Sequence, residues 1–219
     1  MNETLVKVFK KFKFLRFFNF SKSVYINKNR FVVPIINDTG YENLNLSEIW
    51  MVDIFKIILP IENKKFVDIG VNIGQTLLKI KSVSPKINYL GFEPNSSCIN
   101  YTLNLIEMNN FENTAIIPVG ISNKTEIGVL NFTNDSFTDS SAYMISNFRD
   151  EAKIKRNIYI PLFDLKDLKN RINLDFISIL KIDVEGAELE VLISFKKEIE
   201  IKQPIILLEI LPTYNTVSY

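Results

Sequence analysis

The period at which apolar and polar residues alternate changes along the chain. From Thr4 to about Phe12, Leu5, Val8, Phe9 and Phe12 recur on one helical face, with Lys7, Lys10 and Lys11 opposite. Phe14, Phe17, Phe18 and Phe20 then blur that separation. Residues 31–36, Phe-Val-Val-Pro-Ile-Ile, predict a strand, and Asn37-Asp38-Thr39-Gly40 predicts a turn. Ser47 is placed to cap a helix through Ile49, Trp50, Ile54 and Ile58 towards Pro60.

A regular alternation begins after Pro60. Phe66–Gly70 reads as a short apolar strand, followed by a helix from about Ile73 to Lys81. Tyr89–Phe92 reads as a second strand, closed by Glu93-Pro94, with a helix across Cys98–Met108. Ala115–Gly120 reads as a third strand, and Ile127–Phe132 as an added hairpin strand. Residues 133–150 are rich in Ser, Thr, Asn and Asp and predict a long loop. Phe176–Ile182 reads as a fourth strand with a helix from about Ala187, and Ile205–Ile210 as a fifth strand. Strands alternating with helices imply an α/β fold with a mostly parallel sheet. The expected organisation is an appendage of basic helix, strand and helix over residues 1–60, then one domain over 61–219.

Composition narrows the chemistry. Of 219 residues, 47% are hydrophobic, enough for a real core, and 23% are charged. Histidine is absent, which excludes a Ser-His-Asp triad, a histidine base and histidine-ligated zinc. Proton transfer is left to Asp, Glu, Lys or Tyr. The net charge of +1 exerts no global pull on nucleic acid, and no nucleic-acid partner is expected. The charge is uneven, however. Lys7, Lys10, Lys11, Lys13, Arg16, Lys22, Lys28 and Arg30 face only Glu3 within residues 1–30. Cys98 is the single cysteine, so no internal disulfide forms, and a cytoplasmic location is expected. No apolar run approaches the roughly 20 residues of a membrane span.

The acids and glycines fall at strand ends. The first strand runs into Asp68-Ile69-Gly70-Val71-Asn72-Ile73-Gly74, and glycines at such a turn let a ligand approach the backbone. A dinucleotide fingerprint wants glycine at 70, 72 and 75; here those are Gly70, Asn72 and Gln75. The mismatch argues against NAD and for a cofactor without a pyrophosphate, such as S-adenosylmethionine. Glu93 ends the second strand roughly 20 residues after Gly70, where an acid can accept hydrogen bonds from ribose hydroxyls. The fourth strand ends in Lys181-Ile182-Asp183-Val184-Glu185-Gly186-Ala187-Glu188. Ligands of open α/β sheets bind beyond the carboxyl ends of strands, so Asp183 and Glu185 should face the same crevice as Gly70 and Glu93. Alternatively, Glu185 and Glu188 simply favour a helix N-terminus.

Together these segments resemble the FkbM family of methyltransferases. The resemblance is carried in order by Phe66 to Gly74, by Gly91-Phe92-Glu93-Pro94-Asn95, by Leu180 to Glu188, and by Pro204 to Glu209. It implies a Rossmann-like class I methyltransferase sandwich that uses S-adenosylmethionine. It also implies O-methylation of a hydroxyl on a sugar, glycolipid or natural-product acceptor. Asp68, Gly70, Asn72, Gly74 and Glu93 are implied to line the cofactor site, and Gly120 at the end of the third strand is counted with them. Val71 departs from the alanine common in the family. With no histidine, Asp183 is the expected base and Glu185 orients the acceptor, with reversed roles as the alternative. No metal is called for, although Asp183, Glu185 and Glu209 could hold Mg²⁺ as a second version. A non-catalytic cofactor-binding or scaffolding protein is the alternative from another class.

Two expectations concern the ends. Class I methyltransferases, which the chain resembles, have seven strands, and a helix plus a two-stranded hairpin needs roughly 30 residues. Only Leu211 to Tyr219 follow the fifth strand, so the last two strands are expected to be missing and Ile205–Ile210 to form an apolar edge. A partner chain covering it, the segment 31–36 pairing there, or a longer enzyme are the options. For residues 1–20, either a peripheral contact with an anionic membrane or phenylalanines packed as a lid on the catalytic domain is expected.

Overall fold

In the computed structural model the described residues are 8–10, 12, 14–59, 65–134, 136, 138, 142–143 and 154–210. The chain divides into two compact units: Met1–Ile61 with Ile73–Lys86 and Asn100–Glu112, and Glu62–Asn72 with Ile87–Ile99 and Asn113–Tyr219.

The first unit opens with a helical stretch at residues 8–10; the rest of the helix expected from Thr4, apart from Phe12, lies outside the described residues. A 3-10 turn, Phe14–Phe17, leads into an antiparallel hairpin of β1 (Asn19–Ile26) and β2 (Asn29–Ile36). Asn27 and Lys28 join the strands with φ of 47° and 66°, the left-handed pair that a two-residue hairpin needs. β2 turns Phe31, Val33 and Ile35 inward. Strand 31–36 was expected; its partner β1 was not, and the segment pairs with β1 and not with Ile205–Ile210. Helix α1 (Met51–Ile58) begins at Trp50 with no side-chain cap. Ser47 does not cap it: its hydroxyl donates to Gln75 Oε1, three residues short of the helix start. Helix α2 (Gln75–Val83) and most of α3 (Ser96–Met108) belong to this unit.

The second unit holds the central sheet. β3 (Lys65–Ile69), β4 (Asn88–Phe92), β5 (Thr114–Ile117), β9 (Ile177–Ile182) and β10 (Ile205–Leu208) lie in the order β10-β9-β3-β4-β5, all parallel. The β3-α2-β4-α3-β5 connections, and β9 joined to β10 through helix α5 (Glu188–Lys202), make this a Rossmann-like sheet, as expected. Its strands are near-continuous apolar runs, as in a sheet buried on both faces. Val67, Ile69, Leu90, Leu180 and Ile182 form one cluster with Val191 and Phe195 of helix α5 (Glu188–Lys202).

The third expected strand is two. After Ile117 a bend leads to β6 (Gly120–Ile121), which joins a separate sheet in the order β6-β8-β7. β7 (Glu126–Phe132) is the expected hairpin strand, and its antiparallel partner β8 (Arg156–Phe163) was not foreseen. A short helix α4 (Leu165–Leu168) follows, capped by Asp164 through a bond from Lys166 N. Of the loop expected at 133–150, only 133–134, 136, 138 and 142–143 are described. Among the described residues β10 pairs with β9 alone, forming one edge of the sheet, and no further strand flanks it. Residues 209–210 are not strand as expected, and 211–219 lie outside the described residues.

Candidate functional site

The carboxyl ends of β4, β3, β9 and β10 form a continuous rim. Gly70 N donates to Phe92 O at 3.0 Å, Asp183 N to Ile69 O at 3.0 Å, and Glu209 N to Ile182 O at 3.0 Å, so the ladders continue just past the strands. The chain visits β3, β4 and β5 on one side and then crosses to β9 and β10, so the order switches between β3 and β9. Open α/β sheets bind ligands at that kind of switch.

Gly70 stands on the β3 side of it with φ of 90°. A Cβ there would run into the carbonyl oxygen of Asp183, with Val184 Cγ1 at 3.3 Å. Only glycine allows β3 to end so close to β9. Asn72 follows at φ 50°, and its side-chain oxygen accepts from the Cys98 thiol at 3.3 Å. Val71 is buried, and a Cβ on Gly91 would meet its Cγ2. The larger side chain at 71 is thus accommodated by a glycine on the neighbouring strand.

Glu93 ends β4 and is 7% exposed. Its Oε2 accepts from Asn72 N and its Oε1 from Asn95 N, each at 2.8 Å. The carboxylate therefore fastens the turn after β3 to the turn after β4, and each oxygen keeps a lone pair for another donor. Burial pushes its pKa up to about 7, against the pull of these two bonds. Asn95 in turn accepts from Ser97 N at the start of α3.

Asp68 does not reach the rim. It is fully buried, accepting from Tyr89 Oη and from Lys181 Nζ at 3.2 Å. Register pairs Asp68 with Lys181 across β3 and β9. Lys181, 5% exposed, also reaches Asp183 Oδ2 at 2.8 Å, helped by strand alternation, which puts residues 181 and 183 on one face. A chain of hydrogen bonds thus runs from the neutral Tyr89 phenol through Asp68 and Lys181 to Asp183. The Asp183 side chain, 39% exposed, is the member that meets solvent. Burial alone would lower the Lys181 pKa, but Asp68 and Asp183 outweigh it and hold it above its ordinary value. Burial raises Asp68 and Tyr89. Lys181 and Tyr89 were not singled out from sequence. The available signal was a lone lysine inside an otherwise apolar strand.

The remaining expected residues are placed as follows. Glu185 is half-buried in the turn after β9. Glu188 accepts from Gly186 N at 3.0 Å, a local bond at the start of α5 of the kind negative charge favours there. Gly120 lies in β6, where a Cβ would meet Leu162 Cδ2 at 2.6 Å and Pro94 at 3.6 Å. Gly74 belongs to the first unit, preceding α2 with φ of 76°, and a Cβ would meet Leu105 Cδ2 at 3.0 Å. Among the described residues no group of three or more Asp, Glu, Cys or His could hold a metal ion, so the Asp183, Glu185 and Glu209 version of a Mg²⁺ site has no support.

Residues 68–217 match the Methyltransferase FkbM domain. The chain belongs to the FkbM methyltransferase family. The match begins at Asp68 and spans the glycine turn, Glu93, Gly120 and the Lys181–Asp183 pair. The protein is therefore a methyltransferase, and the rim of this Rossmann-like sheet is where a methyl donor is to be sought. No curated protein matches the chain.

Proposed function

We propose that the protein transfers the methyl of S-adenosylmethionine to a hydroxyl oxygen of a sugar, glycolipid or natural product. The observation that carries this reading is Glu93. A buried carboxylate at the end of β4, held by two backbone N–H groups and retaining free lone pairs, suits the two hydroxyls of a ribose. The turn through Gly70 and Asn72 adjoins Glu93 through the Asn72 N–H, and the absence of the three-glycine fingerprint speaks against a pyrophosphate. Glu93, Gly70 and Asn72 would hold the cofactor, with Asp68 behind them keeping Lys181 charged. S-adenosylmethionine supplies a sulfonium-bound methyl that is already electrophilic.

The protein's own task is then to orient the acceptor and accept its proton. Asp183 is the group for it, since it is exposed and Lys181 fixes its carboxylate. With both aspartates ionised, the Asp68–Lys181–Asp183 set carries one net negative charge. A proton arriving at Asp183 neutralises the set and leaves Lys181 balanced by Asp68. Glu185, half-buried beyond Asp183, assists in orienting the acceptor. Titration calorimetry with S-adenosylmethionine and with NAD tests the cofactor: binding of the first alone is expected, and binding of NAD alone would overturn the proposal. A screen of sugar and glycolipid hydroxyls with labelled cofactor then identifies the acceptor.

A further inference from the structure

Four phenylalanines near the start of the described chain are about half or more exposed. Phe12, Phe14, Phe17 and Phe18 are 62%, 52%, 66% and 46% exposed. They flank or form the 3-10 turn Phe14–Phe17. Leu15 is the one buried residue of the turn, and the rings beside it are exposed. The rings also form a cluster. Phe9 stacks on Phe18 with centroids 5.4 Å apart and meets Phe14 edge-on at 6.2 Å. The Arg16 guanidinium lies 4.8 Å from the Phe17 ring centre. Scattered exposed rings are ordinary, but a contiguous group marks a contact surface.

Charge selects the occupant. Lys10 is engaged by Asp38 at 3.2 Å and Glu42 at 3.3 Å, so its charge is largely spent within the unit. Arg16 and, along the adjoining hairpin, Lys22, Lys28 and Arg30 are the other basic residues among the described ones up to residue 30. An anionic bilayer offers both requirements at once: an acyl boundary for the rings and headgroup phosphates for the bases. Duplex nucleic acid would satisfy the bases and leave the rings in water. Among the described residues no helix is long and apolar enough to cross a membrane, so the contact would be peripheral.

We propose that this Phe-rich basic segment docks the enzyme on an anionic membrane surface. Phe12, Phe14, Phe17 and Phe18 enter the headgroup boundary, and Arg16, Lys22, Lys28 and Arg30 face the lipid phosphates. The proposal does not depend on the identity of cofactor or acceptor. Flotation of the full chain with phosphatidylcholine vesicles, with and without about 30% phosphatidylglycerol, tests it. Partitioning is expected to be at least about tenfold stronger on the anionic vesicles and to fall in high salt. Replacing Phe14, Phe17 and Phe18 by Ser is expected to reduce it by about tenfold or more. A second measurement does not rely on loss of binding. In a Trp50→Phe background, Phe17→Trp gives one fluorophore, and brominated lipids are expected to quench it. Failure to bind vesicles, equal binding to neutral and anionic vesicles, binding to duplex DNA alone, or vesicle binding without quenching at position 17 would each overturn the proposal.

Discussion

Glu93 shows how burial turns a common carboxylate into a sensor. Its pKa of about 7 means that the folded protein keeps a proton that the unfolded chain, with an ordinary value of 4.5, has released. Stability is therefore greatest below the unfolded value and is lost as pH rises through 7, by roughly 3 kcal/mol over the window. Urea unfolding at several pH values will show this fall in the native protein and a flatter profile in Glu93→Gln; identical profiles would exclude the assignment. On the proposed reading, ribose hydroxyls donating to Glu93 would favour its ionised form, and S-adenosylmethionine binding is then expected to release a proton near neutrality. Affinity will tighten by up to about tenfold per pH unit below 7 and level off above it. Calorimetry in buffers of differing ionisation heat measures that proton directly. Lys181 makes a contrasting case, because it stabilises a charge network that cannot lose one member. Lys181→Met will cost about 3–5 kcal/mol by stranding Asp68, and adding Asp68→Asn will recover part of it. Strict additivity of the two in denaturant titrations would show that the pair is uncoupled.

At the scale of elements, strand ends matter more than strand middles. The turn after β3 works because Gly70 alone permits the contact with Asp183. Gly70→Ala will destabilise the fold by roughly 2–4 kcal/mol, combining left-handed strain with a backbone clash. Helix α5 ends with the opposite error: Gln203 occupies a left-handed C-cap at φ 47°. Gln203→Gly will stabilise by about 0.5–1 kcal/mol, readable as a higher urea midpoint, and no gain would mean that other contacts hold that conformation. The same strands explain what could be read in advance. β3, β4 and β9 are short apolar runs closed by Gly70, Glu93 and Asp183, and both the period and the terminating residues were visible. β1 was hidden because Phe14, Phe17 and Phe18, exposed in the fold, resemble the buried rows of a helix or strand. β8 alternates Ile158, Ile160 and Leu162 with Asn157 and Tyr159, but follows a long polar stretch that obscured its start. The third strand was read as one piece because the change of sheet at the bend after Ile117 leaves no mark in hydrophobicity. Lys181 and Tyr89 escaped notice because their partners are long-range, and no local pattern shows which carboxylate a buried lysine will meet.

For the whole molecule, the sheet edge and the net charge act together. Among the described residues β10 has one neighbouring strand, and Ile205 and Ile206 are 41% and 38% exposed along it. Leu189, Ile193 and Ile201 of α5 are also exposed, at 65%, 50% and 65%, so the same unit carries apolar surface beyond the strand itself. An open edge of apolar parallel strand presents unpaired N–H and C=O groups to any similar edge. Proteins commonly oppose such pairing with charge, yet this chain has a net charge of +1 and a pI near 7.7. Repulsion between copies is therefore weakest at the pH where the enzyme would ordinarily be handled. Self-association will rise with concentration and peak near the pI. Ile206→Lys places a charge on the edge without touching the Glu93 or Asp183 surroundings, and will shift the association to higher concentration while leaving cofactor binding intact. Sedimentation across a range of concentration and pH provides the check. A monomer throughout the micromolar range at pH near 7.7 would show that the edge is protected, and equal association of the wild type and Ile206→Lys would place the contact elsewhere on the molecule.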